Sequence, residues 1–406
     1  MSLPKRLLRL SALVVGLDGA ATVSLAAQHP VTRAAAIEAA LARGARAAFG
    51  RADTAAAAGL LRGARAYPNP SFAATYTKDV PRYHYIADVS LDLPWLRSAR
   101  IGAAAAARDA TGFGFAFERA AIRFAVDTTY THALATAAHA RLSRRNARDA
   151  DSLLTMARLR REVGDVSELD VRLAEVNAGQ LLNVAVDDSL AALDGLLAVQ
   201  LTMGLPAEAA SITLADSLVP PPDSSPAPTG EPLRIAAAGA SLRFEDRNLA
   251  LAHRTVIPAP SLQVGVERGD PADPAQGVLP TVGLALALPL FNRNGGEIGQ
   301  ARAARDRAQA NLDVTRRESA ADVARARRSF SAARARLERD RRLLASADRV
   351  AAMSLQAYAE GAVPLANVLE AQRNAREALG RYIDDVAAAN DAAGVVRLVT
   401  ASAGGS

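Results

Sequence analysis

Residues 281–306 read TVGLALALPLFNRNGGEIGQARAARD. Side chains of an extended chain alternate between two faces. Val282, Leu284, Leu286 and Leu288 therefore fall on one face, and Thr281, Gly283, Ala285 and Ala287 on the other. The first face is apolar; the second is small and mildly polar. Pro289 and the turn cluster Asn292–Gly296 end the predicted strand. From Glu297 the chain is rich in Ala, Arg, Glu and Gln, and Gly299 is the only Gly or Pro before Gly361. This predicts a helix of about 60 residues, where globular helices average roughly 11–12.

The same order of features occurs earlier. Val89, Leu91 and Leu93 alternate with Ser90 and Asp92, Pro94-Trp95 ends the strand, and Ile101-Gly102 opens a second Ala/Arg-rich helix. Ile101 and Ile298, Asp109 and Asp306, Gly164 and Gly361, Val171 and Val368, Ala174 and Ala371, and Asn177 and Asn374 are each 197 residues apart. A single offset held over so long a stretch is a tandem duplication.

Half of the 406 residues are hydrophobic, but much of that is Ala and only 4% of the chain is aromatic. Such a chain suits long helices packed at close range. Cys is absent, which excludes disulfides, thiolate metal sites, thiol nucleophiles and a lipidated N-terminal Cys. The net charge of +6 is spread over helices as interspersed Arg, Asp and Glu, which reads as solvated faces and not as a nucleic-acid surface. Lys5, Arg6 and Arg9, the apolar run Leu10–Leu17 and Ser24-Leu25-Ala26 predict an export signal over residues 1–26. No later segment is long and apolar enough to cross a bilayer as a helix.

Taken in order, residues 27–215 form the first repeat: a helix over 32–66, a β-hairpin over 71–93, and a helical hairpin over 97–204 that turns at Gly164 and is weakened around Gly112 and Gly114. Residues 216–232, DSLVPPPDSSPAPTGEP, predict a Pro/Ser-rich connector without packing potential. Residues 233–401 form the second repeat: a helix over 233–255, a hairpin over 261–290 and a helical hairpin over 297–400 that turns at Gly361.

Phe72, Ala74 and Tyr76, then Tyr85, Ala87 and Val89, then Leu262, Val264 and Val266 each repeat the one-sided alternation. Four such strands would leave apolar faces and open edges. In lipid an open edge is forbidden, so the barrel must close. Four strands cannot enclose a pore; three chains would supply 12.

The chain resembles the TolC family of outer-membrane efflux proteins. The resemblance rests on Asn-Pro-Ser at 69–71 and Ala-Pro-Ser at 259–261, Leu-Pro-Leu-Phe-Asn-Arg-Asn-Gly-Gly-Glu-Ile at 288–298, Ala-Tyr-Ala-Glu-Gly at 357–361 and Val-Leu-Glu-Ala-Gln at 368–372. It covers nearly the whole mature chain in family order. The 288–298 segment is similar to the branch serving heavy-metal pumps of the resistance-nodulation-division type. The resemblance implies a mainly α fold: a homotrimer with a periplasmic α-barrel of long helical hairpins and a 12-stranded transmembrane β-barrel. It implies an outer-membrane exit duct with a large periplasmic part, passively conducting substrates from an inner-membrane pump and a periplasmic adaptor. The connector would lie in a girdle around the tunnel, and Val163, Gly164, Gly361 and Ala362 would form the adaptor-docking tips. Asp170 and Tyr358 would hydrogen-bond neighbouring helices in a closed aperture. Asn367 and Glu370 match the family's acidic constriction, with an amide in place of one acid.

No catalytic constellation is legible, and no cofactor or metal site is expected. His132 and His139 can share a helix face, but two His do not make a metal site. The competing readings are a non-conducting periplasmic coiled-coil scaffold and, among ducts, a type I protein secretion channel.

Overall fold

The computed structural model describes residues 29–222, 230–268 and 277–402. The predicted export signal, residues 223–229 of the connector and residues 269–276 of the second hairpin loop lie outside them. In chain order the elements are β1 (His29–Val31), α1 (Arg33–Arg43), α2 (Ala45–Arg65), β2 (Ser71–Tyr76), β3 (Tyr83–Ser90), α3 (Pro94–Glu162), α4 (Glu168–Thr202), β4 (Ile212–Leu214), α5 (Leu233–Arg254), β5 (Ser261–Arg268), β6 (Val278–Ala285), α6 (Gly295–Ala359) and α7 (Leu365–Val399).

The duplication is visible in where helices stop. Glu162 and Ala359 end α3 and α6, Glu168 and Leu365 begin α4 and α7, and Thr202 and Val399 end them, each pair 197 residues apart. α3 has 69 residues and α6 has 65. At 1.5 Å per residue each is about 100 Å long. Pro94 opens α3 from its first turn, where its missing N–H has no helical partner to lose.

Small side chains set how closely these helices approach. Ala133, Ala135, Ala140, Ala150 and Ala157 of α3 are buried, as are Ala174 and Ala185 of α4. A Cβ added at Gly195 of α4 would lie 2.8 Å from Thr136 Oγ1 and 3.1 Å from Ala133 Cα, so the glycine is what admits α3 at this point.

Several sequence expectations are corrected. The helix expected over 32–66 is two helices, because Gly44 is extended (φ −61°, ψ 143°). A Cβ there would come within 2.4 Å of Ala40 O, so glycine permits the break. α3 runs unbroken through Gly112 and Gly114; the cost of two helix-interior glycines, about 1 kcal/mol each, is outweighed by packing against α2 and α5. β6 ends at Ala285, three residues before Leu288, and α6 starts at Gly295, two residues before Glu297. The connector does pack: Leu218 lies against the buried clusters of both repeats, Pro221 is buried, and Asn390 Nδ2 donates to Val219 O at 2.9 Å.

A two-stranded parallel sheet, β1 with β4, was not legible in the sequence. Two fully buried polar side chains hold it. Tyr130 of α3 donates its hydroxyl to Val31 O at 2.7 Å, and burial beside Asp216 pushes the phenol up to about 12. Gln200 of α4 makes four backbone bonds: Nε2 donates to Pro206 O (2.8 Å) and Ala209 O (2.9 Å), and Oε1 accepts from the N–H of Ser211 (2.7 Å) and Ile212 (3.3 Å). Where the repeats meet, Asp127 of α3 is paired with both Arg33 of α1 and Arg397 of α7.

Gln200→Ala leaves four backbone groups without partners and is expected to lower the thermal unfolding midpoint well below that of Tyr130→Phe, which loses the bond to Val31 O, worth about 1 kcal/mol, and the long one from Asp216 N at 3.5 Å. Circular dichroism at 222 nm of the detergent-solubilised protein checks this. Equal midpoints for the two variants would contradict the role given to Gln200.

Candidate functional site

The two hairpins form one antiparallel sheet in the order β2-β3-β5-β6. Register decides which residues share a face, since directly paired residues point the same way. Phe72 pairs with Ala87, Ala87 with Val264, and Val264 with Val282; Leu262 joins Val89 to Leu284. The four separate alternations therefore fall on a single side of the sheet. That side is apolar and unpacked: Phe72 is 71% exposed, Val282 74% and Leu284 68%. Near the β2–β3 turn it ends in Tyr76 and Tyr83, whose rings are 5.4 Å apart.

The other side is polar and bonded. Asp88 Oδ2 accepts from Ser261 Oγ (2.9 Å) and Gln263 Nε2 (3.1 Å), and His84 Nδ1 lies 3.3 Å from Glu267 Oε1. Among the described residues, the outer edges of β2 and β6 pair with no strand. Pro280 sits on the edge strand β6, where a missing N–H is tolerated. Eight residues of β3 or β5 span about 27 Å. At the root of the sheet, Asp92 bridges Arg97 (3.2 Å) and Arg100 (2.8 Å), whose guanidinium groups hold its buried carboxyl below the usual range.

At the far end of the long helices the two turns come together. Gly164 (φ 83°) and Gly361 (φ 73°) take the left-handed conformation that glycine accepts without strain. Val163 is 77% exposed, and Gly361 and Ala362 are exposed. Just inside the turns, Leu153, Leu154, Ala157 and Ala174 of the first repeat form one core with Tyr358, Leu365 and Val368 of the second.

Within this tip, Tyr358 is 3% exposed and its hydroxyl has no hydrogen-bond partner among the described residues. Arg160, a residue not singled out in the sequence, stacks over the Tyr358 ring at 4.8 Å and donates to Tyr358 O at 3.1 Å. Nothing in the Arg-rich run around it marks Arg160. Asp170 is engaged locally: its carboxylate accepts from Ser167 N (3.1 Å) and Ser167 Oγ (2.8 Å), and its own N–H donates to Ser167 Oγ (3.2 Å). Ser167 and Asp170 thus form a capping box at the start of α4, and their S-x-x-D spacing is the signal that would have found it. Within one chain Asp170 and Tyr358 are not bonded to each other. Asn367 is exposed, and Glu370 is ion-paired with Arg373 at 2.9 Å.

Both histidines of α3 have carboxylate partners on α7. His132 Nε2 lies 3.4 Å from Asp391 Oδ2, and His139 Nε2 lies 2.8 Å from Asp384 Oδ1. Beside them Asp385 is paired with Arg336 at 2.9 Å and hydrogen-bonded to Asp340. Burial and the Asp340 bond push its carboxyl up to about 6 against the opposing pull of Arg336. Among the described residues no three His, Asp or Glu side chains converge as a metal site. No described helix is long and apolar enough to cross a membrane, which says nothing about the sheet.

The comparisons agree with this architecture. Residues 234–401 match the model of the family described as Outer membrane efflux protein. Three solved structures share the fold across more than nine-tenths of the chain. The outer membrane protein VceC from Vibrio cholerae superposes with a TM-score of 0.73 at 16% identity, covering 91% of this chain and 95% of that one. A membrane protein from Pseudomonas aeruginosa gives 0.78 at 20%, covering 91% and 93%. The CmeC outer membrane channel of Campylobacter jejuni gives 0.77 at 14%, covering 98% and 94%. The chain has the fold of these proteins. No curated protein matches it in sequence.

The raised carboxyl of Asp385 has a defined consequence. The folded chain takes up this proton more readily than the unfolded chain, so stability falls as pH rises from about 4 through about 6. Thermal midpoints measured across that window are expected to decline in the parent and to decline less in Asp385→Asn. Parallel profiles would show that Asp385 does not contribute.

Proposed function

We propose that this chain is the outer-membrane exit duct of a tripartite efflux system, a member of the TolC family with a large periplasmic part. The observation that carries the reading is the four-stranded sheet with one exposed apolar face, one polar face and two unpaired edges, set on helices of about 100 Å. Three copies would pair β2 of one chain with β6 of the next and close a 12-stranded barrel, apolar side to lipid and polar side to the lumen. The long helices would continue as a tunnel towards a periplasmic adaptor, met at Val163-Gly164 and Gly361-Ala362, and towards an inner-membrane pump. The match of residues 234–401 to the efflux family supports this reading, as does the fold shared with outer-membrane channels.

Transport through the duct is passive; an energised pump supplies the work. In a closed state Tyr358 and Asp170 would bond between neighbouring helices; within one chain the Tyr358 hydroxyl is buried in the tip core without a hydrogen bond among the described residues, so that contact requires the core to open around it. Opening would untwist the returning helices at the tips, a change between two packings. Three copies of Glu370 would form a cation-attracting ring, moderated by the Arg373 ion pair. The 288–298 segment favours the heavy-metal branch, and a protein secretion duct would use the same conduit. A non-conducting scaffold is the weaker reading, because it leaves the exposed side chains of Phe72, Val282 and Leu284 without a use.

Light scattering of the detergent-purified protein should give about three times the mass of one processed chain, and planar bilayers should show a small current. A monomer without current would overturn the duct. Tyr358→Phe should raise single-channel conductance while leaving the thermal midpoint within about 1 °C, since no bond within the chain is lost. Unchanged conductance would remove Tyr358 from the aperture. Glu370→Gln should reduce cation selectivity and Arg373→Ala should increase it, both read from reversal potentials in a salt gradient.

A further inference from the structure

The chain has two free flanks. Towards the tips α4 packs on α3, α3 on α7 and α7 on α6; towards the sheet α2 packs on α3, α3 on α5 and α5 on α6. The sheet repeats this order as β2-β3-β5-β6. At every level the first repeat ends one side of the wall, with β2, α2 and α4, and the second repeat ends the other, with β6 and α6. α4 turns Ala174, Ala185 and Val199 into the interior, while Leu169, Leu173, Val176, Asp187, Leu190 and Asp194 lie on its exposed side. α6 turns Phe330, Ala333 and Leu337 inward, and Arg339, Arg342, Val350 and Met353 stand exposed on its other side.

The two flanks carry opposite charge. α4 has six carboxylates and one arginine, and no basic residue from Asn177 to Thr202. α6 has 14 arginines against eight carboxylates. Nearer the tip the charges of α4 are used locally, since Arg172 pairs with Glu168 at 3.5 Å and Glu175 at 3.1 Å. Asp187, Asp194, Arg339 and Arg342 have no side-chain partner among the described residues. The heights agree as well, because both helices run from the same tip. At 1.5 Å per residue Asp187 stands about 28 Å above it, between Arg342 at about 26 Å and Arg339 at about 30 Å. Leu173 and Val176 stand at about 8 and 12 Å, Met353 and Val350 at about 9 and 14 Å.

We propose that these flanks are made for a second copy of the chain: α4 of one copy lies along α6 of the next, with Asp187 between Arg339 and Arg342, and Leu173 and Val176 against Val350 and Met353. This rests on the duct reading, and the helical seam joins the same two sides as the β2–β6 closure. The contact is heterologous, an acidic flank meeting a basic one. Two α4 flanks, or two α6 flanks, would set like charges together, so the wrong pairings are disfavoured by the same residues that favour the right one. A heterologous contact whose rotation closes makes a ring. Exposed ion pairs add little strength; the charges choose the partner and the register, and the exposed apolar residues near the tip supply the adhesion.

Cys is absent from the chain, so Val176→Cys/Val350→Cys carries two defined thiols. In the detergent-purified protein a short bismaleimide is expected to join α4 of one chain to α6 of the next and give linked dimers and trimers on denaturing gels, whereas Val176→Cys and Val350→Cys alone give none. Linking within one chain, or between chains that carry Val176→Cys alone, overturns the seam. In the double-cysteine background Asp187→Arg is expected to slow linking about two- to fivefold, as is Arg339→Asp/Arg342→Asp, and combining the three reversals restores the rate. Equal rates in all of these variants overturn the role of charge. Light scattering and planar bilayers separate the seam from the duct. Trimers that do not link overturn the seam, leave the duct standing and leave both flanks open to a different protein. Monomers that do not link overturn both. Linked trimers without current keep the seam and remove the duct.

Discussion

A strand edge placed in hydrocarbon has no water to satisfy its N–H and C=O groups, and each group left unpaired there costs several kcal/mol. On the proposed reading this constraint governs the β part of the chain. Among the described residues β2 and β6 each expose such an edge, on a sheet whose one side is apolar from strand to strand. In a soluble chain the sheet would be exposed on its edges and on its apolar side at once. In the proposed trimer both demands are met together, because closing the ring consumes the edges and leaves only the apolar side facing out. The polar side, with Asp88, Gln263, His84 and Glu267 already bonded to one another, is suited to water.

The helical part obeys a different rule. Without bulky side chains the helices gain stability by close approach over great length, and the buried alanines of α3, α4 and α7 serve that end. Larger groups are reserved for the places where units meet. Tyr130 and Gln200 tie the small parallel sheet to α3 and α4, Asp127 joins α1, α3 and α7, and Tyr358 fills the core shared by the two tips. Each of these side chains is polar and buried, so each specifies one partner arrangement, where an alanine seam tolerates sliding.

What was legible in the sequence follows from range. The strand faces could be read because alternation is local: Val282 and Leu284 announce their side without reference to any other strand. The junction of β3 with β5 could not, since it joins residues about 180 positions apart and nothing local encodes it. The same holds for β1 with β4, three residues each, whose stability comes from Gln200 and Tyr130 and not from strand propensity. Gly44 and the pair Gly112 and Gly114 look alike in sequence and behave oppositely. The first sits where α1 leaves the line of α2; the others sit inside a helix flanked by neighbours that override propensity. At the tips, glycine spacing located the turns, whereas the partners of Tyr358 and Asp170 depended on three-dimensional neighbours. Asp170 turned out to be held by Ser167, three residues away.

The unbroken length of α3 gives the molecule a mechanical character. Near its middle the helix is fixed at Tyr130 and Asp127, which act as a fulcrum; from there to Glu162 it extends about 48 Å. A stiff rod of that length works as a lever. Tilting it by about 3° at the fulcrum would carry the tip roughly 2.5 Å sideways, and the core that Leu153, Leu154 and Ala157 share with Tyr358, Leu365 and Val368 would have to move with it. An interior that packs alanine on alanine, with few protrusions to interlock, is the kind of bearing on which such a rod can pivot.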